Sequence, residues 1–429
     1  MNVAANNQSQ MSAGQKIAMH YFVAAMVLFL AQILFGMIAG LQFLYPDLLL
    51  DVLNFSISRM VHLNAMIVWM LFGFIGSVYW LVEDEAGTEL VGAKLALANF
   101  WVLTTAVAIV VVVYLFVQIG PGEKASIWLI NEGREYIEAP RWADIGIVTC
   151  VLIFFYNVAA TFMKGKWSGI SGVLVLDLVA LAGIYLAGAF FVTNISIDQH
   201  WWWWVIHLWV EATWEVLVGC IMAWGLMKTL GTSRRIVTTW LYIEVAMMFG
   251  SGILGLGHHY FWIGTPEYWL TIGGFFSALE PIPLVAMVVH AVYDAGRHGF
   301  KSTNHPALAW LIAHAFGNFF GAGVLRFHAY AAADQFVYPR YPVDRFLWPF
   351  RLLWRLCHDK YCDDLYRYSE MAWRCMDVGT ASGQRLEVEM VVGAAQRRRG
   401  RHDDGAIDRR IRTIIYRARG RWLHLERVF

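Results

Sequence analysis

The stretch 200–215, HWWWWVIHLWVEATWE, is apolar and of helix length, yet it carries His207, Glu211 and Glu215 at steps of four. On a helix that spacing brings an imidazole and two carboxylates to one face. Stranding such a group in hydrocarbon costs about 2.5–3.5 kcal/mol on insertion scales, so each needs a partner. The partner that an imidazole and a carboxylate share is a metal ion. A second group, GLGHHYFWIG, sets His258 and His259 side by side where another apolar run ends. Neighbouring helical residues point about 100° apart, so both reach one ion only where a helix end lies close to it, an approach that Gly255 and Gly257 permit. Three imidazoles alone suit copper or zinc. Adding Glu211 moves the preference towards a harder ion, with non-haem iron(II) the natural candidate.

Two further segments carry chemistry. In SRMVHLNAMIVW, His62 stands in an apolar run with Arg59 one turn away. An imidazole in a helical bundle is a common axial haem ligand and an arginine pairs with haem propionates, although a satisfied core histidine fits the same segment. In INEGREYIEAPRW, Glu132, Glu135 and Glu138 have helical spacing. The segment falls in the outer loop 119–142 and reads either as a solvated loop face or as carboxylates that hold a hard cation such as calcium or admit protons.

The elements that must position these residues are membrane helices. The 429 residues are 59% hydrophobic and 15% charged, with mean hydropathy +0.50, which excludes an ordinary soluble enzyme. Nine apolar runs approach the roughly 20 residues that span a bilayer: 17–43, 60–82, 93–118, 143–163, 172–193, 201–228, 236–257, 268–293 and 306–324. The fold expected is an all-α polytopic bundle, and the first run reads as a retained span because no cleavage signal follows it. With the N-terminus cytoplasmic, Lys16, Lys94, Lys164, Lys166, Lys228, Arg234, Arg235, Arg297 and Lys301 fall inside and only Arg59, Lys124, Arg134 and Arg141 outside. That orientation places His62, His207, His258 and His259 at similar depth near the outer face. Cys150 and Cys220 stand alone in apolar runs, and the absence of CxxCH excludes covalent haem attachment.

Together HLWVEATWE, GHHYFWIG, GGFFSALEPIPL, RMVHLNA, EGREYIEAPRW and HAFGNFFGAGV resemble the haem–copper oxidase superfamily, and within it the large subunit of cytochrome c-dependent bacterial nitric oxide reductases. The resemblance covers about 1–324. It implies that His207, Glu211, His258 and His259 bind a non-haem iron and that His62 is an axial ligand of a low-spin haem b. It also implies that Glu135 belongs to a calcium site, that Glu138 is the proton entry, and that Glu215 and Glu280 deliver protons or tune the site. The reaction implied joins two nitric oxide molecules, two protons and two electrons into nitrous oxide and water at a haem b3/non-haem iron centre. Protons would arrive from the periplasm, without pumping. No tyrosine stands at Glu211 or in the three turns before His258, as an oxygen-reducing relative would require. Only a short polar stretch precedes the first run, so electrons are expected from a membrane-anchored cytochrome c subunit served by a periplasmic donor. The location implied is the bacterial inner membrane. The alternatives are an oxygen-reducing terminal oxidase of the same superfamily or a non-catalytic haem or metal membrane protein.

After Val324 the chain changes character. Of 33 Lys+Arg, residues 325–429 hold 20. The family pattern continues with Gly-Phe-Met-His and a later His-x-His helix, part of a twelve-span fold, whereas this chain reads LRFHAYAAADQFVYPRY and contains no His-x-His beyond Val324. Permitted codons for 326–361, read one nucleotide later, yield Gly-Phe-Met-His-Thr-Leu-Pro-Gln and a long run of the missing helix, failing at Leu347. Residues 1–324 are therefore expected to form the membrane domain and 325–429 to be a frameshifted tail. The tail lacks the haem b3 ligand, and its RRRGR at 397–401 implies no nucleic-acid partner.

Overall fold

A computed structural model describes residues 11–116, 128–260, 263–325, 414–418 and 421–425. Lys124, Leu347, the remaining cysteines Cys357, Cys362 and Cys375, and RRRGR at 397–401 lie outside the described residues. The chain divides into two compact units, Met1–Pro339 and Arg340–Phe429.

The first unit is all-helical among its described residues. Its elements are α1 (Ala13–Leu44), α2 (Phe55–Ala86), α3 (Ala93–Phe116), α4 (Arg141–Lys164), α5 (Gly169–Ala187), α6 (Ile195–Leu230), α7 (Arg234–Leu254, tightening to a 3-10 turn over Gly255–His259), α8 (Glu267–Leu279), α9 (Ile282–His298) and α10 (His305–Asn318). Polar caps mark where they begin: the Ser12 hydroxyl accepts from Gln15 N while the Gln15 side chain reaches back, and Asn54 accepts from Ile57 N. The outer faces are apolar, as bilayer helices require. Val23, Val27, Leu30, Leu34 and Met37 of α1 point outward, and the interior is closed by rings such as Tyr21, Phe72, Tyr79, Phe100 and Phe154.

Among the described residues, eight helices are long and apolar enough to cross a membrane, with α8 and α9 counted as one. The ninth expected run is helical throughout but has only 14 residues of α-helix before a π segment, Phe319–Leu325. Nine spans on sequence thus become eight plus one shorter helix. At one end of the bundle Lys228 pairs with Asp84 and Arg234 with Glu85, so basic residues assigned to the same side do gather there.

The second unit contains an antiparallel hairpin, β1 (Ile414–Ala418) and β2 (Arg421–Leu425), with Ile414 opposite Leu425. The all-α expectation therefore holds for the first unit, and the tail, for which the sequence predicts no fold, carries a strand pair.

Candidate metal centre

α6 is not uniform. Its middle, Leu208–Trp214, is a π segment between α-helical halves. The wider turn changes the angular step between His207 and Glu211 that a regular helix would give, and such insertions are frequent at functional sites. The sequence spacing alone does not show it.

The π segment presents Glu211 to α7's terminal turn. His207 Nδ1 lies 3.2 Å from Glu211 Oε2, His258 Nε2 3.3 Å from the same oxygen and His259 Nε2 3.0 Å from Oε1. One ligand atom from each of the four residues falls within 4.8 Å of the others. The His207 and His258 side chains are fully buried. The rings are crowded edge to face, with His207 and His258 centroids 5.0 Å apart, and Trp203 stacks on His259 at 4.7 Å and 10°. The close approach depends on backbone: a Cβ at Gly257 would collide with the Trp269 carbonyl oxygen. That glycine serves the packing of the turn on α8, which in turn fixes the histidine doublet.

The four residues fit a metal. Neither ring nitrogen of the fully buried His207 makes a well-formed hydrogen bond, a state that costs about 1–3 kcal/mol per polar group unless something else engages it. Three imidazoles and a carboxylate form a donor set suited to iron(II). Glu280 is 1% exposed, with Oε2 accepting from the Ser277 hydroxyl at 3.3 Å. The point a Gly255 Cβ would occupy is 3.0 Å from Glu280 Oε1 and 3.6 Å from His207 Nε2, so Glu280 borders the cluster. Glu215 is half-buried one turn beyond Glu211, where α-helix resumes.

His62 stands apart from this cluster, on α2 where it packs against α1. Its Nδ1 is 2.8 Å from the Gln32 carbonyl oxygen, which can only accept. The proton is thereby held on Nδ1 and Nε2 is left with the lone pair that an axial ligand needs.

The outer segment is the loop the sequence suggests: residues 131–140 are not helical, so the helical spacing of Glu132, Glu135 and Glu138 does not bring them to one face. Each turns to its own partner: Glu132 to Arg141, Glu135 to Arg59, and Glu138 to the Asn64 amide at 2.6 Å. Nor is this a solvated face, because Glu132 and Glu138 are 7% and 8% exposed. Burial pushes the Glu138 carboxyl up to about 7, against the opposing effects of Arg59 and Asn64. Burial, together with the charge of Asp144, raises Glu132 to about 7. Glu135 is engaged by Arg59. Among the described residues the group able to hold a metal is the His207 cluster, and calcium requires about six to eight oxygens.

Comparison with known proteins gives the arrangement its kinship. The family model described as cytochrome c and quinol oxidase polypeptide I matches residues 16–336, three quarters of the chain. The chain belongs to that family. It is a polytopic helical membrane protein of haem–copper oxidase type. It is also 41% identical over 327 residues to a nitric oxide reductase subunit of Stutzerimonas stutzeri, covering 76% of this chain and 69% of the relative. Within this oxidase family it is thus a homologue of a nitric oxide reductase subunit, and an oxidoreductase by kinship.

Sequence reading misses the π segment, the Trp203 stack and the Asn64 and Tyr114 contacts that seat Glu138. It also passes over Asp177 and Glu244. For those two the signal is present, since each is an isolated acid inside an apolar run.

Proposed function

We propose that this chain represents the catalytic subunit of a nitric oxide reductase, reducing two nitric oxide molecules to nitrous oxide and water with electrons from a cytochrome c subunit and a periplasmic donor. The observation that carries the reading is a carboxylate, Glu211, brought within 3.3 Å of three imidazoles. A metal there supplies redox chemistry and stabilises charge developing on substrate oxygen. The residues do the rest. His207, His258, His259 and Glu211 hold a non-haem iron, and His62, with Nε2 free of the proton, serves a low-spin haem b whose propionates Arg59 can meet. Glu138, with its carboxyl poised near neutrality, holds and releases protons on the outer side, while Glu215 and Glu280 flank the iron ligands and tune their charge. The protein is placed in a bacterial inner membrane with its N-terminus cytoplasmic, a reading supported by the gathering of Lys228 and Arg234 at one end.

Residues 1–324 are read as the membrane domain and 325–429 as a frameshifted tail. The family match ending at 336 supports that division. A chain with this tail lacks the haem b3 ligand and the closing helices, so it should not turn over. The experiment is to express the chain as it stands, and the chain with its frame and Leu347 codon restored, each with its cytochrome c subunit. Anaerobic nitric oxide consumption and nitrous oxide formation are expected from the restored chain alone. Activity in the unrestored chain would sink the frameshift reading, and oxygen consumption without nitrous oxide from the restored chain would sink the nitric oxide reading.

A further inference from the structure

Two acids in the bundle take no part in the metal cluster. Asp177 lies near the middle of α5 and Glu244 near the middle of α7, each 1% exposed. Among the described residues, neither oxygen of either side chain has a hydrogen-bond partner. Packing brings the two together. Glu244 is within electrostatic reach of Glu215 and Asp177, and Cys220 within reach of both acids.

The backbone shows where the Glu244 carboxyl rests. A Cβ at Gly219 would collide with Glu244 Oε2, so the carboxyl occupies the space that a side chain of α6 would otherwise fill. Gly219 lies one α-helical turn beyond Glu215, and Glu211 lies four residues further back, within the π segment. The rung missing from α6 is thus supplied by α7. We propose that Asp177 and Glu244 are a proton-holding pair, extending the Glu211–Glu215 ladder from the metal centre into the bundle, away from Glu138 and towards the end where Arg234 meets Glu85.

The chemistry follows from burial. Two carboxylates within electrostatic reach of one another cannot both stay ionised in a medium that hydrates neither, so the pair carries protons. A protonated carboxyl is both donor and acceptor, the property a relay needs. When the Glu244 hydroxyl proton passes to a Glu215 carboxylate oxygen, one O–H bond breaks and another forms. Glu244 is left as a carboxylate that Asp177 can refill, and no electrons move. The groups facing Glu244 from the elements packed on α7 are Asp177 of α5 and Glu215 and Cys220 of α6. His290 of α9 bonds the Trp240 indole one turn away. The protonation of the pair stands on its packing alone, while its service to the metal rests on the function proposed above.

Infrared spectra of the full chain in H2O and D2O test this without requiring turnover. The wild type is expected to show stretches of buried protonated carboxyls that shift on deuteration. E244Q and D177N should each remove one component, E244D should retain it, and E215Q should displace the Glu244 component. Bands unchanged in E244Q and D177N, or a Glu244 component indifferent to E215Q, would overturn the proposal. So would a bound cation, detected by metal analysis, that E244Q releases. If the bands respond as expected but iron(II) does not bind the wild-type chain, the metal reading fails and the proton pair stands.

Discussion

Glutamates in two parts of this molecule meet opposite fates. In the outer loop each carboxylate is answered from within: Glu135 by Arg59, Glu132 by Arg141, Glu138 by Asn64. At the π segment of α6, Glu211 instead faces three imidazoles. The difference teaches what each region is built to receive. The buried Glu138 of the loop, raised by burial in spite of Arg59, is suited to hold and release a proton, whereas three imidazoles and a carboxylate converging in a buried site form a donor set that could hold a metal ion.

The largest test of this contrast removes a donor. H258A should lower iron(II) affinity at least about 100-fold, beyond the 10–100-fold that changes around a ligand produce, measured by metal titration of the purified chain. E135Q should leave that affinity unaltered, and if E135Q matches H258A the two regions are one site. G257A comes next. Its Cβ collides with the Trp269 carbonyl oxygen, so overpacking should cost about 1–3 kcal/mol and displace the histidine doublet, seen as a lowered Tm together with weakened iron binding.

Glu138 offers a sharper cut. Its carboxyl is raised to about 7, so in the restored chain proton delivery should fall as pH rises through about 7. E138Q should lower turnover by about 100-fold or more and abolish that pH dependence. The same shift makes a stability statement. The folded state holds this proton more tightly than the unfolded chain, so stability is full below about 4.5, declines as pH rises and levels off above about 7. Glu132 contributes a decline over the same range, so E138Q should lessen the decline without abolishing it in thermal unfolding followed between about pH 5 and 8. The smallest effect is expected from R59A, because its exposed pairing with Glu135 is worth about 0–1 kcal/mol. A larger loss would show that Arg59 secures the whole loop.

The four clustered residues were legible because each violates its surroundings: a histidine or glutamate inside an apolar run carries a cost that invites an explanation. His62 was legible for the same reason. The outer loop was legible as a loop, but the partners of its glutamates were not, because Arg59, Asn64 and Arg141 stand on neighbouring elements and only packing brings them to Glu135, Glu138 and Glu132. The last expected run is helical as well, but apolar length did not reveal that its α-helix yields to a π segment at Phe319.

What the sequence by itself determined was the solvent and the cast: hydrophobic runs of bilayer length, and a few ionisable residues too costly to lie there idle. What the tertiary structure decided was which of them meet. Residues 48 apart, Glu211 and His259, come within 3.0 Å because a widened turn of α6 lies against the glycine-lined end of α7. Sequence spacing carries angles only along a single helix, whereas the contact between two helices is set by the shapes they pack together.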